Sequence, residues 1–251
     1  MGAPGRGALD ARLAGIRADL QIDVCVVNGE NAADGVGITP RLAERLLAAG
    51  ADAITHGNHA FRRAEIGPYL EQSERVIRPA NTSKATPGRG LTIVPGSNGS
   101  RLAVVNVLGS LFLQPATSMF EVIDGLVEDA RRETPVVLVD VHAEATSEKI
   151  ALARWLDGRV TAVVGTHTHV QTSDARVLPK GTAFITDAGM TGPHDSVIGV
   201  ESDLAIERMR TGMPVRFATA RGDVRIEGAV VECDPETGRA TSIEPLRIPI
   251  S

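Results

Sequence analysis

The stretch Val163-Val164-Gly165-Thr166-His167-Thr168-His169 decides the fold class of this 251-residue chain. An apolar, β-branched run ends there, and two histidines follow it at positions i and i+2. Ligand-type side chains follow an apolar run at three other places, which are Asn28-Gly29-Glu30-Asn31, His56-Gly57-Asn58-His59 and Asp140-Val141-His142-Ala143-Glu144. Because the carboxyl ends of parallel strands face one crevice of an open α/β sheet, we expect the four clusters to meet there.

Helical and extended patterns alternate along the chain around these clusters. Thr39-Pro40 starts a helix, since threonine caps the free amides and proline suits the first turn, and Gly50 ends it. Ser118 to Glu121 has capping-box form before another helix that runs to Glu133. The predicted pairs of helix and strand are 9–20 with 22–27, 39–50 with 51–55, 118–133 with 136–141, and 147–156 with 160–164. This alternation predicts an α/β fold with a parallel or mixed sheet covered by helices.

Shorter extended segments with more turn signals between them predict a second sheet packed beside the first. They are 91–94, 101–107, 183–186, 215–220 and 224–232. With 43% hydrophobic residues the chain is long enough to bury a full core, and we expect one domain over residues 1–251.

The charge and cysteine content restrict the partners and the compartment. Acidic residues outnumber basic ones by 31 to 26 and the basic residues are scattered, so we expect no stable nucleic-acid binding. No apolar run approaches membrane-spanning length, which predicts a protein without a membrane partner. Cys25 and Cys233 form neither a disulfide framework nor a CxxC pair, which is typical of the reducing cytoplasm. A small anionic substrate then needs a local positive charge, and metal ions supply one.

The four clusters contain the mixed nitrogen and oxygen donors of a metal site with open positions, rather than a cysteine-rich structural site. Glu30 is a carboxylate able to bridge two cations. The amide and imidazole donors are Asn31, Asn58, His142, His167 and His169. Imidazoles suit iron, manganese or zinc. Two such cations roughly 3.5 to 4 Å apart lower the pKa of a bridging water and stabilise in-line transfer at phosphorus.

The ordered combination of these motifs resembles the calcineurin-like metallophosphoesterases, and within them the YmdB-type cyclic-nucleotide phosphodiesterases. The motifs are Asn28-Gly29-Glu30-Asn31-Ala32, Gly57-Asn58-His59, Asp140-Val141-His142-Ala143-Glu144-Ala145-Thr146 and Gly165-Thr166-His167-Thr168-His169-Val170. The resemblance implies a four-layer α/β/β/α sandwich with mixed sheets and a centre of two divalent ions, iron or manganese, with zinc as an alternative. It also implies hydrolysis of cyclic nucleotides, with 2′,3′-cyclic favoured over 3′,5′-cyclic substrates.

Carried over by motif, the resemblance places Glu30 between the two ions. It assigns Asn31 and His169 to one ion and the remaining three donors to the other, namely Asn58, His142 and His167. His59 is then free to donate a proton to the leaving oxygen or to bind the phosphate, and both roles stay open.

Four other residues have weaker claims on the site. His56 is expected to be packed or to support a ligand. His194 either lines the substrate pocket or belongs to a simple turn, and Glu144 either orients His142 or caps the following helix. Arg78 is a candidate for the substrate phosphate, but an arginine before proline also braces a loop, and the sequence favours that role.

The chain departs from the family pattern at its beginning. Met1-Gly2-Ala3-Pro4-Gly5-Arg6 matches the tail of the first motif of the family, whose aspartate is a ligand of the first ion. We therefore expect a buried strand ending in Gly-Asp upstream of Met1. Without that strand, the first ion has only Glu30, Asn31 and His169.

Two other classes of function remain open. One is a non-catalytic, metal- or nucleotide-binding regulatory protein that has lost the first metal site. The other is a mononuclear amidohydrolase or deacetylase, which uses the histidines without needing the Gly-Asn-His motif. The sequence leaves the native metal, the preferred nucleotide and any homo-oligomeric state open.

Overall fold

The computed structural model describes residues 1–97 and 99–250, so that Asn98 and Ser251 lie outside the described residues. The helices are α1 (Gly2–Asp19), α2 (Pro40–Ala49), α3 (Ile66–Gln72), α4 (Met119–Glu133), α5 (Thr146–Leu156) and α6 (Ser202–Thr211). The strands are β1 (Val26–Asn28), β2 (Ala53–Thr55), β3 (Leu91–Pro95), β4 (Arg101–Leu108), β5 (Val137–His142), β6 (Ala162–Thr166), β7 (Arg176–Val177), β8 (Ala183–Ile185), β9 (Gly192–Asp195), β10 (Gly222–Cys233) and β11 (Ala240–Pro249).

Six strands form a mixed sheet in the order β3-β4-β5-β6-β8-β7. The four inner strands run parallel to one another, whereas β3 and β7 pair antiparallel at the edges. The expectation that 91–94, 101–107 and 183–186 belong to a second sheet is therefore wrong. β4 pairs with β5 from Ala103 to Leu108, and every residue of this run is buried. A parallel strand covered on both faces reads as a continuous apolar run, which hides its place in the sheet.

Two smaller sheets face the six-stranded sheet. β1 and β2 pair in parallel, and β10 pairs antiparallel with β11 and β9. The segment 224–232 lies in β10, as the sequence predicts. The sequence also predicts a strand over 215–220, but the only pairing of that segment among the described residues is an isolated bridge from Thr219 to Val200. That prediction is wrong because half of the segment is exposed and, within the described chain, no neighbouring strand pairs along it.

Helices cover the outer faces of both layers. α4 and α5 pack on the six-stranded sheet through residues such as Ile123 and Leu152. α1 and α2 cover the smaller sheets, where Leu13 is buried in a second cluster. Between the two sheet layers, Ile185 of β8 packs in one cluster with Ile243 of β11. The order helix, sheet, sheet, helix confirms the four-layer α/β/β/α sandwich.

Local sequence signals set both ends of α2. The Thr39 hydroxyl accepts a hydrogen bond from the backbone of Leu42, and Gly50 ends α2 with a φ of 120°. α1 differs from the sequence prediction, because it begins at Gly2 rather than at residue 9. Its first turn lies against the Thr191 carbonyl, where a side chain in place of Gly5 would collide. Among the described residues, no helix combines the length and apolar character needed to cross a membrane.

An elongated cavity of about 700 Å³ lies among β1, β10 and one face of the six-stranded sheet. Apolar side chains line much of it, including Val26, Leu138 and Val230, and its lining also includes His142. β1 pairs only with β2, and residues 226–233 of β10 pair only with β11. Within the described chain, each of these strands therefore keeps one edge without a neighbouring strand.

Candidate metal centre

The four polar clusters meet at the carboxyl ends of strands, as the sequence predicts. Asn28 ends β1 beside Thr55 at the end of β2, and His142 ends β5 beside Thr166 at the end of β6. The short turns that follow carry the other expected donors. Parallel pairing brings these strand ends to one edge, so residues more than a hundred positions apart in sequence lie within hydrogen-bonding distance, such as Asn31 and His169.

Four donors converge on one point around His142. Its Nε2 atom lies 3.1 Å from Asn58 Oδ1, 3.3 Å from Glu30 Oε1 and 3.0 Å from His167 Nδ1. His142 and Glu30 are almost fully buried, with 1% and 2% of their side chains exposed. Three of the four donors, Glu30, His142 and His167, form a group close enough to hold one metal ion. This is the donor set that the sequence assigns to one of the two ions.

The outer nitrogens of the imidazoles determine which atoms face this point. Nδ1 of His142 lies 2.9 Å from the Thr166 hydroxyl, which itself donates to Asp140 Oδ1 at 2.7 Å. The hydroxyl proton is thereby used, so Nδ1 of His142 donates and Nε2 is the nitrogen that faces the other donors. Nε2 of His167 similarly lies 3.1 Å from Glu144 Oε2, so its Nδ1 carries the lone pair. Two imidazole nitrogens, a carboxylate and an amide oxygen thus face one another, an arrangement that fits a cation.

Glu144 therefore acts on a different histidine from the one expected. Its carboxylate contacts His167 rather than His142. It does not cap α5 either, because the N-cap residue is Ala145, without a side-chain hydrogen bond. The chain turns after β5, which moves the Glu144 side chain away from His142 and towards the loop after β6.

A second group of donors adjoins the first through Glu30. The Asn31 amide nitrogen lies 3.3 Å from Glu30 Oε1 and 3.0 Å from His169 Nε2. Nδ1 of His169 donates to the Ile198 carbonyl at 2.9 Å, so its Nε2 also carries a lone pair into the site. A half-turn of the Asn31 amide would place its oxygen there instead of its nitrogen. The residues then fit a second cation, with the Glu30 carboxylate between the two groups.

The charge balance of the donors suits metal ligation. Burial raises the pKa of Glu30, but the neighbouring His142 and His59 outweigh it and hold the pKa below its usual value. Burial, aided by the adjacent His142 ring, lowers the pKa of His167 to about 4. At neutral pH the carboxylate is thus charged and the His167 imidazole is neutral, which are the forms that bind metals.

His59 lies at the mouth of the site. Its Nδ1 atom is 2.8 Å from Asn31 Oδ1, and its backbone amide donates to Glu30 Oε2 at 3.2 Å. Burial lowers the pKa of the ring, while Glu30 raises it. About a quarter of the side chain, 26%, is exposed. Among the described residues no group contacts Nε2, which is therefore available to a substrate.

Asp140 supports the donor cluster without being one of the donors expected from the sequence. Its buried carboxylate accepts hydrogen bonds from the side chains of Thr55, Thr166 and Asn28. Burial raises the pKa of Asp140, and these donors together with His142 counteract the rise. Asp140 stands two residues before His142, so both side chains point to the same face of β5. That spacing of two is the signal in the sequence.

The turn after β6, which carries His167 and His169, is held by a second buried carboxylate. His167 and His169 have φ values of 100° and 64°, a left-handed conformation that is unfavourable for residues with a side chain. Asp187 Oδ2 accepts hydrogen bonds from the backbone and hydroxyl of Thr168 at 3.0 and 2.8 Å. It also pairs at 2.9 Å with Lys149, and both side chains of this pair are fully buried.

The sequence does contain a signal for this ion pair. Lys149 occupies the buried stripe of α5 together with Leu152, Ala153 and Leu156, at the spacing of an apolar helix face. A lysine at such a position requires a buried partner. The sequence does not say which of the acidic residues supplies it.

Three weaker candidates lie apart from the converging donors. Arg78 is buried, and its guanidinium donates to the carbonyls of Pro79 at 2.9 Å and of Thr86 at 3.3 Å, so it braces its loop. His194 contacts the Met190 carbonyl at 3.0 Å and no donor of the site. His56 is fully buried, and its Nδ1 donates to a backbone carbonyl. Bracing and packing are the roles that the sequence favours for Arg78 and His56.

Fold and donor set together define the class of this protein. A four-layer α/β/β/α sandwich with imidazole, amide and carboxylate donors at the strand ends is a metallophosphoesterase. A family model described as YmdB-like protein matches residues 1–246, and the chain belongs to this family.

Relatives extend over nearly the whole chain. A Bacillus subtilis (strain 168) protein named 2′,3′-cyclic-nucleotide 2′-phosphodiesterase is 45% identical over 248 residues, which cover 99% of this chain and 94% of that protein. The crystal structure of a hypothetical protein from Thermus thermophilus has a TM-score of 0.92 and 43% identity, and covers 99% of this chain and 96% of that chain. A novel phosphatase from Mycoplasma pneumoniae has a TM-score of 0.90 and 32% identity, with 99% and 90% covered.

Proposed function

We propose that this protein is a phosphodiesterase that hydrolyses 2′,3′-cyclic nucleotides with the help of two divalent cations. The observation that carries the proposal is the convergence of three imidazole nitrogens, two amides and the carboxylate of Glu30. The name of the Bacillus subtilis relative supports the choice of substrate. Mixed nitrogen and oxygen donors favour iron or manganese, and zinc also suits them.

The residues of the chain divide the work between holding cations and moving a proton. Asn58, His142 and His167 would hold one cation, Asn31 and His169 the other, and Glu30 would contact both. Cations bound there supply positive charge for the phosphoryl oxygens and a water nucleophile at neutral pH. The Thr166 and Asp140 side chains hold the His142 ring in the tautomer that ligation requires.

His59 is the proposed proton donor to the leaving oxygen of the cyclic ester. Its Nδ1 atom faces Asn31 and its backbone is tied to Glu30, which fixes the ring beside the donor cluster. Once the Asn31 amide is turned as the second cation requires, its NH2 group donates to Nδ1 of His59, so the proton of the neutral ring lies on Nε2 and can pass to the leaving oxygen. A general acid placed in this way accelerates bond cleavage because the leaving oxygen departs as a hydroxyl.

The cation held by Asn31 and His169 has fewer protein donors than the cation held by Asn58, His142 and His167, which is why a further strand matters. We propose that a strand upstream of Met1, ending in an aspartate, occupies the elongated cavity between β1 and β10. The cavity supports this because it is lined by apolar side chains, is bounded by two strands that each lack a neighbour on one edge, and includes His142 in its lining. An aspartate at the end of such a strand would add an oxygen ligand for the cation held by Asn31 and His169.

The decisive experiment combines metal analysis with turnover, on this chain and on a version extended upstream. We expect the extended protein to hold about two metal ions per chain and to hydrolyse 2′,3′-cyclic AMP faster than 3′,5′-cyclic AMP. Metal binding without hydrolysis of either substrate would instead indicate a regulatory binding protein. A stoichiometry of one metal ion, with no phosphodiesterase activity, would favour a mononuclear hydrolase.

A further inference from the structure

A second cavity, of about 310 Å³, opens beside Asn58 on the outer side of the donor cluster. Its lining includes Phe61, Arg62, Thr82, Leu113 and Gln114. We call it the Asn58 cavity. Its volume lies at the lower end of the range of about 300 to 1,000 Å³ that is typical of small-molecule sites. Because Asn58 belongs both to the donor cluster and to this cavity, the cavity adjoins the cluster.

Two polar side chains of the Asn58 cavity have no partner within the described chain. Neither the Arg62 guanidinium nor the Gln114 amide makes a hydrogen bond or an ion pair there. The Thr82 hydroxyl, by contrast, donates a hydrogen bond to the Pro79 carbonyl at 2.9 Å. The cavity thus combines a free cation and a free amide with the apolar surfaces of Phe61 and Leu113.

One wall of the Asn58 cavity is a loop over residues 109–116 that is fixed at both ends. The Gly109 amide donates to the His142 carbonyl at 2.9 Å, and the Ala116 amide donates to the Asn81 carbonyl at 3.0 Å. Between these ends, Phe112 and Gln114 have φ values of 62° and 50°. This left-handed conformation is unfavourable for residues with a side chain and recurs at ligand-binding sites.

We propose that the Asn58 cavity is the nucleoside subsite, in which Phe61 and Leu113 contact the faces of the base and Gln114 hydrogen-bonds to its edge. An aromatic ring stacks on any base, and an amide offers both a donor and an acceptor. The Arg62 guanidinium, at the same opening, attracts the substrate phosphate. This inference rests on the proposed function, since it names the binding site of the nucleoside, which is the part of a cyclic nucleotide that does not react.

The test compares two cyclic phosphodiesters, one with a base and one without. The substrates are 2′,3′-cyclic AMP and glycerol 1,2-cyclic phosphate, which share the five-membered phosphate ring. We expect Phe61→Ala to lower kcat/KM for the nucleotide about tenfold, mainly through KM, because one stacking contact is lost. Turnover of the glycerol compound should stay within about twofold of the unaltered protein, since the reacting groups are unchanged.

Two further variants sharpen the comparison. Gln114→Ala should change the ratio of kcat/KM between 2′,3′-cyclic AMP and 2′,3′-cyclic UMP, because the amide contacts the base edge. Phe120→Ala is the matched control. Phe120 is 39% exposed against 38% for Phe61, but it lies on α4 against Trp155. We expect this control to leave both substrates unaffected.

The outcomes separate the subsite from the proposed function. An equal loss on both substrates in Phe61→Ala, or no loss on either, overturns the subsite while the phosphodiesterase stands. If the upstream-extended protein without substitutions hydrolyses neither substrate, the proposed function fails and calorimetry with adenosine 3′-phosphate decides. Binding that weakens about tenfold in Phe61→Ala then supports the subsite, whereas equal binding, or none to the unaltered protein, overturns it.

Discussion

Replacing Lys149 by methionine should destabilise the protein strongly, although the residue is not a proposed metal ligand. Its ammonium group and the Asp187 carboxylate are both fully buried and lie 2.9 Å apart. Removing one partner of such a pair typically costs about 3–5 kcal/mol, because the other charge is left buried without compensation. Methionine keeps most of the volume of the lysine stem, so the loss of charge dominates the effect.

The remaining contacts of Asp187 set the magnitude at the lower end of this range. The carboxylate still accepts hydrogen bonds from the Thr168 backbone, the Thr168 hydroxyl and the Gly189 backbone. We therefore expect Lys149→Met to lower the free energy of unfolding by about 3 kcal/mol, a large part of a total of roughly 5–15 kcal/mol. With a urea slope of about 2–3 kcal/mol per M, the midpoint should fall by about 1 M or slightly more.

Urea denaturation followed by circular dichroism measures this shift, and a surface pair provides the control. Arg132 and Asp129 are paired on α4 but are 71% and 59% exposed, so Arg132→Met should cost at most about 1 kcal/mol. The double variant Lys149→Met with Asp187→Asn should recover part of the loss, since no unpaired charge remains. The reasoning is refuted if Lys149→Met shifts the midpoint no more than the surface control does.

The other predictions concern the site itself. A side chain at Gly57 would collide with His142 and Glu30, so elemental analysis of Gly57→Ala should find no metal. Gly125→Ala is the control and should retain its metal, because a side chain at this position on α4 points into open space. His59→Ala should keep its metal content and lose about 10²- to 10⁴-fold in turnover, as removal of a general acid does; loss of metal would show that His59 is a ligand. Burial lowers the pKa of His167 from 6.5 to about 4. Between these pH values the metal-free folded protein therefore binds fewer protons than the unfolded chain. Its stability is lost as the pH falls through this range. The urea midpoint of His167→Gln should therefore fall less between about pH 7 and pH 5 than that of the unaltered protein. An equal fall in both proteins would contradict the lowered pKa of His167.

The sequence anticipates the donors better than the sheets. Glu30, Asn58 and His142 could be singled out because each lies at the end of an apolar run or a few residues past it. Side chains at the carboxyl ends of strands meet at one edge of the sheet. The place of β4 could not be predicted in this way. A buried parallel strand shows no alternation of polar and apolar residues, so the pattern does not reveal which strand lies beside it.

The supporting residues show the same division. Lys149 interrupts the apolar stripe of α5, and this position alone marks it as a buried charge. That its partner is Asp187, and that this carboxylate also holds Thr168, depends on how β8 is placed beside β6. The sequence leaves Glu144 two roles, orienting His142 or capping α5, and the structure shows neither, because the turn after β5 directs its side chain to His167.

The sequence by itself determined which chemical groups are present, the α/β class and the strand ends that bear them, because periodicity and capping are local properties of the chain. Only the tertiary structure decided which ring nitrogens face inward, which residues hold the two-histidine turn, and that Asn58 is shared between the donor cluster and the Asn58 cavity. These features depend on contacts between distant segments, and such contacts form only when the layers pack against one another.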